Sequence, residues 1–291
     1  MSSRTVFVHL GSRCNLACPH CADRHIVGAR HLTWEPGLLD YALTRLAHLG
    51  WECVAFTGGE PTIQPCFTQS VKVAAALGFS IDVFTNTIWP PHITPCLLRA
   101  MGVDRLVMSV DSLHRLPAHG RPEVESIGQI VKDALNTGLK LVIITTLSRY
   151  NALEASDIVQ YFGGLDVTHF LQPMDSFPAE AIPALEHEAL IRAIQIWGEM
   201  TKQQVRANYL LQFLNGSYDR HGLSCGWCKD MIALFPGAII SPCLFVNQLS
   251  GSWPLADMSE RMLLKAISAW DLRNSPRTCL RPVCFGCLSI Q

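Results

Sequence analysis

Short apolar runs recur along the first two hundred residues, and each is followed by a stretch whose apolar positions fall at helical spacing. The runs at 5–10, 52–57, 80–85, 105–110, 140–146 and 167–172 predict strands, and the segments 35–49, 67–77, 93–101, 123–137, 151–162 and 184–204 predict helices. Regular alternation of the two is the pattern of a parallel α/β sheet. Thr33-Trp34-Glu35-Pro36 predicts a capped helix start, with Thr33 as the N-cap and Glu35 and Pro36 in the first turn. Gly50, Gly78, Gly102 and Gly138 each stand between a helical run and a strand, where a helix ends in the left-handed region.

The pattern changes near residue 205. Ile232 to Phe235 and Ala238 to Ile240 predict a hairpin turning at Pro236-Gly237, and Cys225, Cys228, Cys243, Cys279, Cys284 and Cys287 all fall in this last part. Two units are therefore expected, 1–205 and 206–291. With 49% apolar and 16% charged residues in a chain of 291, a large core is expected and disorder is not. The net charge of −1, with no Lys or Arg run, argues against a nucleic-acid partner. No apolar stretch has the length of a membrane span and no secretory signal is evident. Twelve cysteines in such a chain point to metal or redox chemistry in a reducing cytoplasm, not to disulfides. Cys53, Cys66 and Cys96 stand alone beside apolar runs and are expected as small buried hydrophobes.

Cys14, Cys18 and Cys21 form C-x3-C-x2-C directly after the first strand. Random placement of the cysteines would produce this spacing roughly 0.02 times in such a chain. Three thiolates on one loop can hold three irons of a [4Fe–4S] cube and leave the fourth open. A zinc loop is the alternative, with His20 or His25 as a fourth ligand. The second strand runs into Gly58-Gly59-Glu60-Pro61. Together these two motifs resemble the radical S-adenosylmethionine (SAM) superfamily, in which the open iron chelates the amino and carboxylate groups of SAM. Reductive cleavage there yields a 5′-deoxyadenosyl radical that takes a hydrogen atom from substrate.

The resemblance implies a partial (β/α)6 TIM barrel with its chemistry at the C-terminal strand ends. It implies that Gly58 and Gly59 let backbone approach the methionine part of SAM, that Glu60 accepts the SAM ammonium, and that Asn86, Ser109 and Asp111 meet the carboxylate and ribose. Gln172 ends the sixth strand in the same region. For Asn86, Ser109, Asp111 and Gln172 the competing reading is a plain turn residue. His20 stands where the family often has an aromatic residue whose backbone contacts adenine.

The cysteine-rich end resembles the twitch extension, a shortened relative of the SPASM extension. That likeness implies an auxiliary [4Fe–4S] cluster on Cys225, Cys243, Cys284 and Cys287. Cys228 and Cys279 are left over as alternative ligands, inert thiols, or hydrogen donors to a substrate radical. A zinc ribbon on the same cysteines would instead make the chain a binding module.

By resemblance the substrate is a small polar compound of carbohydrate or aminocyclitol type, or a short peptide, and the electron donor is external, such as flavodoxin or ferredoxin. The 13 residues before Cys14 leave no docking domain for a long leader peptide within this chain. Epimerisation by a cysteine donor is the favoured outcome. Two-electron oxidation of a carbinol through the auxiliary cluster and modification of a ribosomal peptide are the alternatives.

Overall fold

The computed structural model describes residues 4–18, 21, 32–113, 124–173, 183–217, 231–241 and 253–254. Six strands follow one another in sequence and in space: β1 Thr5–His9, β2 Cys53–Thr57, β3 Ser80–Thr85, β4 Arg105–Ser109, β5 Lys140–Leu147 and β6 Thr168–Pro173. All neighbouring pairs among them are parallel. The helices are α1 Leu38–His48, α2 Phe67–Ala76, α3 Pro95–Ala100, α4 Val124–Asn136, α5 Ala155–Gly163, α6 Ala184–Thr201 and α7 Gln204–Leu214. This is the expected α/β arrangement of a partial barrel.

Strand alternation sorts the side chains. Val6, Val8, Val54, Phe56, Ile81, Val83, Leu106, Met108, Leu141 and Ile143 face the helices and form the main core with residues of α1 to α5. The intervening residues face the interior. There the Phe7 and Phe84 rings lie 5.7 Å apart, and His9, the last residue of β1, lies 5.3 Å from Phe235.

Four αβ junctions repeat one device. Gly50, Gly78, Gly102 and Gly138 have φ of 75°, 81°, 101° and 77°. The next residues, Trp51, Phe79, Val103 and Leu139, each return a backbone N–H to a carbonyl in the last helical turn, closing a Schellman motif. Each helix thus ends on a buried apolar residue that leads straight into a strand.

Two helix boundaries differ from the sequence reading. The first helix starts at Leu38 and not near Glu35, because Gly37 turns the chain at φ 76° and no side chain caps the start. Trp34 is held instead by its indole N–H, which donates to the His9 carbonyl at 3.0 Å. The segment expected as one helix over 184–204 is two, because Lys202 adopts φ 57° and lets α7 fold back on α6. A Cβ on Gly198 would come within 2.7 Å of the Ala207 Cβ, so the two helices touch where their residues are smallest. Cys53 is buried and Cys66 partly so, but Cys96 is exposed on α3, a correction to its expected burial.

The hairpin forms as expected. Strands β7 Met231–Phe235 and β8 Ile239–Ser241 pair antiparallel across a turn in which Gly237 has φ 85° and Ala238 φ 54°. Strand β7 then pairs parallel with β1, and β9 Trp253–Pro254 follows β8, so one nine-stranded sheet runs β6-β5-β4-β3-β2-β1-β7-β8-β9. The strand bearing the cysteine loop is thereby flanked on both sides.

Candidate active site

Leaving β1, the chain enters the loop that carries Cys14, Cys18 and Cys21, and the end of β2 is stitched to that loop through backbone. Gly59 N–H donates to the Gly11 carbonyl at 2.9 Å, and Glu60 N–H to the Arg13 carbonyl at 2.8 Å. The Gln64 side-chain amide adds a second bond to the Arg13 carbonyl at 2.7 Å. A Cβ on Gly58 would lie 2.6 Å from the Gly11 carbonyl oxygen, and one on Gly59 would fall on the Arg13 carbonyl oxygen. Both glycines are therefore required by the cysteine loop itself, a structural reason separate from the expected approach of SAM.

Glu60 is fully buried. Its Oε1 accepts from Thr62 N at 3.2 Å, Thr62 Oγ1 at 2.7 Å and Thr85 Oγ1 at 2.9 Å, and its Oε2 accepts from Asn86 N at 2.7 Å. Thr85 Oγ1 also receives Thr87 N at 3.0 Å and Trp89 Nε1 at 2.7 Å. Those two partners only donate, so the single Thr85 hydroxyl proton points to Glu60. Burial pushes the Glu60 carboxyl up, and the hydrogen bonds from Asn86, Thr62 and Thr85 oppose the rise. The carboxylate joins the ends of β2 and β3. A side chain so enclosed positions the loops around it.

Asn86 links the third strand to the cysteines. Its Nδ2 donates to Asn15 Oδ1 at 2.8 Å and lies 3.7 Å from Cys14 Sγ, while its Oδ1 accepts from Ile88 N at 2.9 Å. Asn15 reaches back to the Ile88 carbonyl at 2.7 Å. Cys14 Sγ also accepts from Leu16 N at 3.4 Å. Thr87, β-branched and at φ 68°, occupies a backbone region that costs roughly 1–3 kcal/mol, held by the bond from its N–H to Thr85.

At the end of β4, Ser109 is half-buried and faces the interior. Asp111 is buried, with Oδ1 accepting from Thr146 N at 2.9 Å and its carbonyl accepting from Asn151 Nδ2 at 2.7 Å. One Asp111 oxygen is thus committed to tying the segment after β4 to the end of β5.

Among the described residues no three His, Cys, Asp or Glu side chains converge as the ligands of one metal ion do. Cys14, Cys18 and Cys21 nevertheless share one loop. Burial raises the Cys14 thiol, the Leu16 N–H lowers it, and the charges of Glu60, Cys21 and Cys18 raise it further. Three soft donors in mutual electrostatic reach, one with N–H groups aimed at its sulfur, suit a cluster whose irons sit apart.

Sequence reasoning missed Asn15, Thr62, Gln64, Thr85 and Trp89, all of which brace this loop. The available signal was the polar pair Thr85-Asn86 ending a strand otherwise apolar on its helix-facing side. Cys225, Cys228, Cys243, Cys279, Cys284 and Cys287 lie outside the described residues, as do His20 and His25.

A family model described as the radical SAM superfamily matches residues 8–162. An S-adenosylmethionine-dependent nucleotide dehydratase of Thermoplasmatales archaeon (strain ISO4-H5) is 28% identical over 155 residues, which are 50% of this chain and 53% of that protein. A PqqA peptide cyclase of Xanthomonas euvesicatoria pv. vesicatoria (strain 85-10) is 22% identical over 85% of this chain and 69% of its own. The chain thus spans about half the length of the dehydratase and about two thirds that of the cyclase. The solved structure of native anSMEcpe with bound AdoMet shares the fold, with a TM-score of 0.64 at 15% identity over 90% of this chain and 80% of that one.

Proposed function

The chain belongs to the radical SAM superfamily, and from that premise we propose that it abstracts a hydrogen atom from a small polar or short-peptide substrate bound inside the barrel. The observation that carries this reading is the cysteine loop pinned by Gly59, Glu60, Gln64 and Asn86 at the C-terminal strand ends. When bound, a [4Fe–4S] cluster and SAM supply a 5′-deoxyadenosyl radical, with the electron coming from an external donor such as flavodoxin or ferredoxin. Cys14, Cys18 and Cys21 would hold the cluster, and the N–H groups of Leu16 and Asn86 stabilise charge on the Cys14 sulfur. Glu60 acts through position: it fixes the register of the β2 and β3 ends that SAM would meet. Ser109 is the half-buried polar side chain at the end of β4 best suited to a SAM oxygen, and Asp111 fixes the neighbouring end of β5.

For the reaction, inversion of a carbon by a hydrogen atom from Cys228 or Cys279 remains the favoured outcome. An auxiliary cluster on Cys225, Cys243, Cys284 and Cys287 would serve the competing oxidation. The match to a peptide cyclase over 85% of this chain supports peptide modification as the second reading of the substrate.

Anaerobic reconstitution tests the core of the proposal. Replacing Cys14, Cys18 and Cys21 together by Ala should remove about four irons per chain and abolish 5′-deoxyadenosine formation. Unchanged iron in that variant would overturn the assignment. Product made in D2O separates the outcomes: inversion by a thiol places one deuterium at carbon, and dehydrogenation places none and yields a product two hydrogens lighter.

A further inference from the structure

Arg206 occupies an unusual position. It sits in the first turn of α7, and its guanidinium lies 4.7 Å above the Phe170 ring. Phe170 belongs to the interior face of β6: its neighbours His169 and Leu171 point the other way, where Trp197 Nε1 donates to the His169 carbonyl and the Phe162 ring meets the His169 ring. Arg206 therefore reaches past the edge strand into the barrel. The register locates it further, because Ser109 pairs with Ile144 and Ile144 with Phe170. Two strand spacings, roughly 10 Å, separate the Arg206 stack from the Ser109 strand end.

Among the described residues the guanidinium has no counter-charge. There the Arg206 side chain makes no ion pair and no hydrogen bond, and its Nε is buried without an acceptor. Burial lowers its pKa, with no carboxylate acting against the loss. A partly desolvated cation is costly unless paired, and an aromatic face, worth about 0.5–2 kcal/mol, offers no acceptor to the buried Nε–H. Gln172, the next interior residue toward the mouth of the barrel, is half-buried, and its side chain makes no hydrogen bond among the described residues. The α6–α7 contact at Gly198 and Ala207 leaves α7 little freedom to withdraw the side chain.

We propose that Arg206, stacked on Phe170 beneath Gln172, is an anion-binding subsite that receives a carboxylate or phosphate group of the substrate. The planar fork of Arg matches two oxygens of either group, and the Gln172 amide can donate to a further phosphate oxygen or to a free lone pair of the carboxylate. The proposal deepens the preceding reading by giving the substrate an acidic group and a fixed direction in the barrel. It rests on that reading for the identity of the ligand as substrate.

Inorganic phosphate and acetate are the probes, each titrated into the whole chain at constant ionic strength with chloride as the reference. In protein labelled with 15N-arginine, one Nε–H resonance, assigned by its loss in Arg206→Met, should shift saturably at millimolar anion. The same anion should raise the melting temperature of the wild type and not of Arg206→Met. Arg206→Lys, which keeps the charge and loses the fork, should bind about tenfold more weakly. Saturation by phosphate well below acetate marks a phosphoryl substrate, and the reverse order marks a carboxylate. A response no larger than that to chloride, or one retained in Arg206→Met, overturns the proposal. If Arg206→Met does not fold, the wild-type titration and Arg206→Lys decide. Neither readout uses iron or SAM, so loss of the anion site leaves the radical chemistry standing, and the reverse also holds.

Discussion

Single hydroxyls and carboxylates set the geometry of the site. Because Oε1 and Oε2 of Glu60 both face donors, Glu60→Gln must turn its NH2 toward an N–H or O–H. The expected result is a loss of about 1–3 kcal/mol in urea unfolding. Thr85→Ser should be mild, whereas Thr85→Val strands Trp89 Nε1 and Thr87 N–H, removes one of the three donors to Glu60 Oε1, and should cost more. Equal stability of the two Thr85 variants would contradict the network. His169 governs acid stability on the helix-facing side. Thr145 Oγ1 donates to the Val110 carbonyl at 2.7 Å, so its 3.0 Å contact with His169 Nε2 has the imidazole as donor. Burial lowers the His169 pKa to about 4. The unfolded chain takes up a proton near pH 6.5 while the native state refuses it until about 4. Stability present above 6.5 is therefore lost as pH falls through that window, at about 1.4 kcal/mol per pH unit. In His169→Phe, chemical denaturation at pH 7 and pH 4.5 should show a smaller difference than in the wild type; an unchanged difference would refute the role.

Helix ends carry the next level of information. Gly102 and Gly138 occupy equivalent junctions, yet a Cβ on Gly102 would lie 2.8 Å from the Ala75 Cβ, and one on Gly138 would meet nothing within 4 Å. Gly138→Ala should cost only the left-handed backbone penalty, about 1–2 kcal/mol. Gly102→Ala adds overpacking and should cost about 1–3 kcal/mol more. Thermal denaturation of the two variants side by side checks this, and similar melting temperatures would show that α2 gives way freely. The glycines themselves were legible because a helix that must turn sharply into a strand needs a residue tolerant of positive φ. The break at Lys202 was not, since nothing in Thr201-Lys202-Gln203 forbids a continuous helix. Packing of Ala207, Leu210 and Leu214 against Leu190, Ala193, Ile194 and Trp197 accompanies it.

At the scale of the molecule, β1 is paired on both sides and leads into the cysteine loop. Its amides should exchange with solvent only through global unfolding, while the two-residue β9 opens locally. Hydrogen exchange followed by mass spectrometry should find peptides covering 5–9 among the slowest and those covering 253–254 among the faster. Comparable rates would mean that the β1–β7 pairing does not anchor the loop. No helix among the described residues is long and apolar enough to cross a membrane.

Periodicity and two short motifs were enough to read six β/α units, the hairpin at Pro236-Gly237 and the family to which the cysteine loop belongs. Each rests on local rules: strand alternation, helix termination, and the soft-ligand preference of iron. Tertiary structure alone decided that β7 joins β1, that Gly59 is filled by a neighbouring carbonyl, that Glu60 spends its carboxylate on Thr62, Thr85 and Asn86, and that Arg206 enters the barrel over Phe170. Those contacts join residues distant in sequence, and the identity of a partner across such a gap is set by how the sheet closes and the helices pack, which no local pattern encodes.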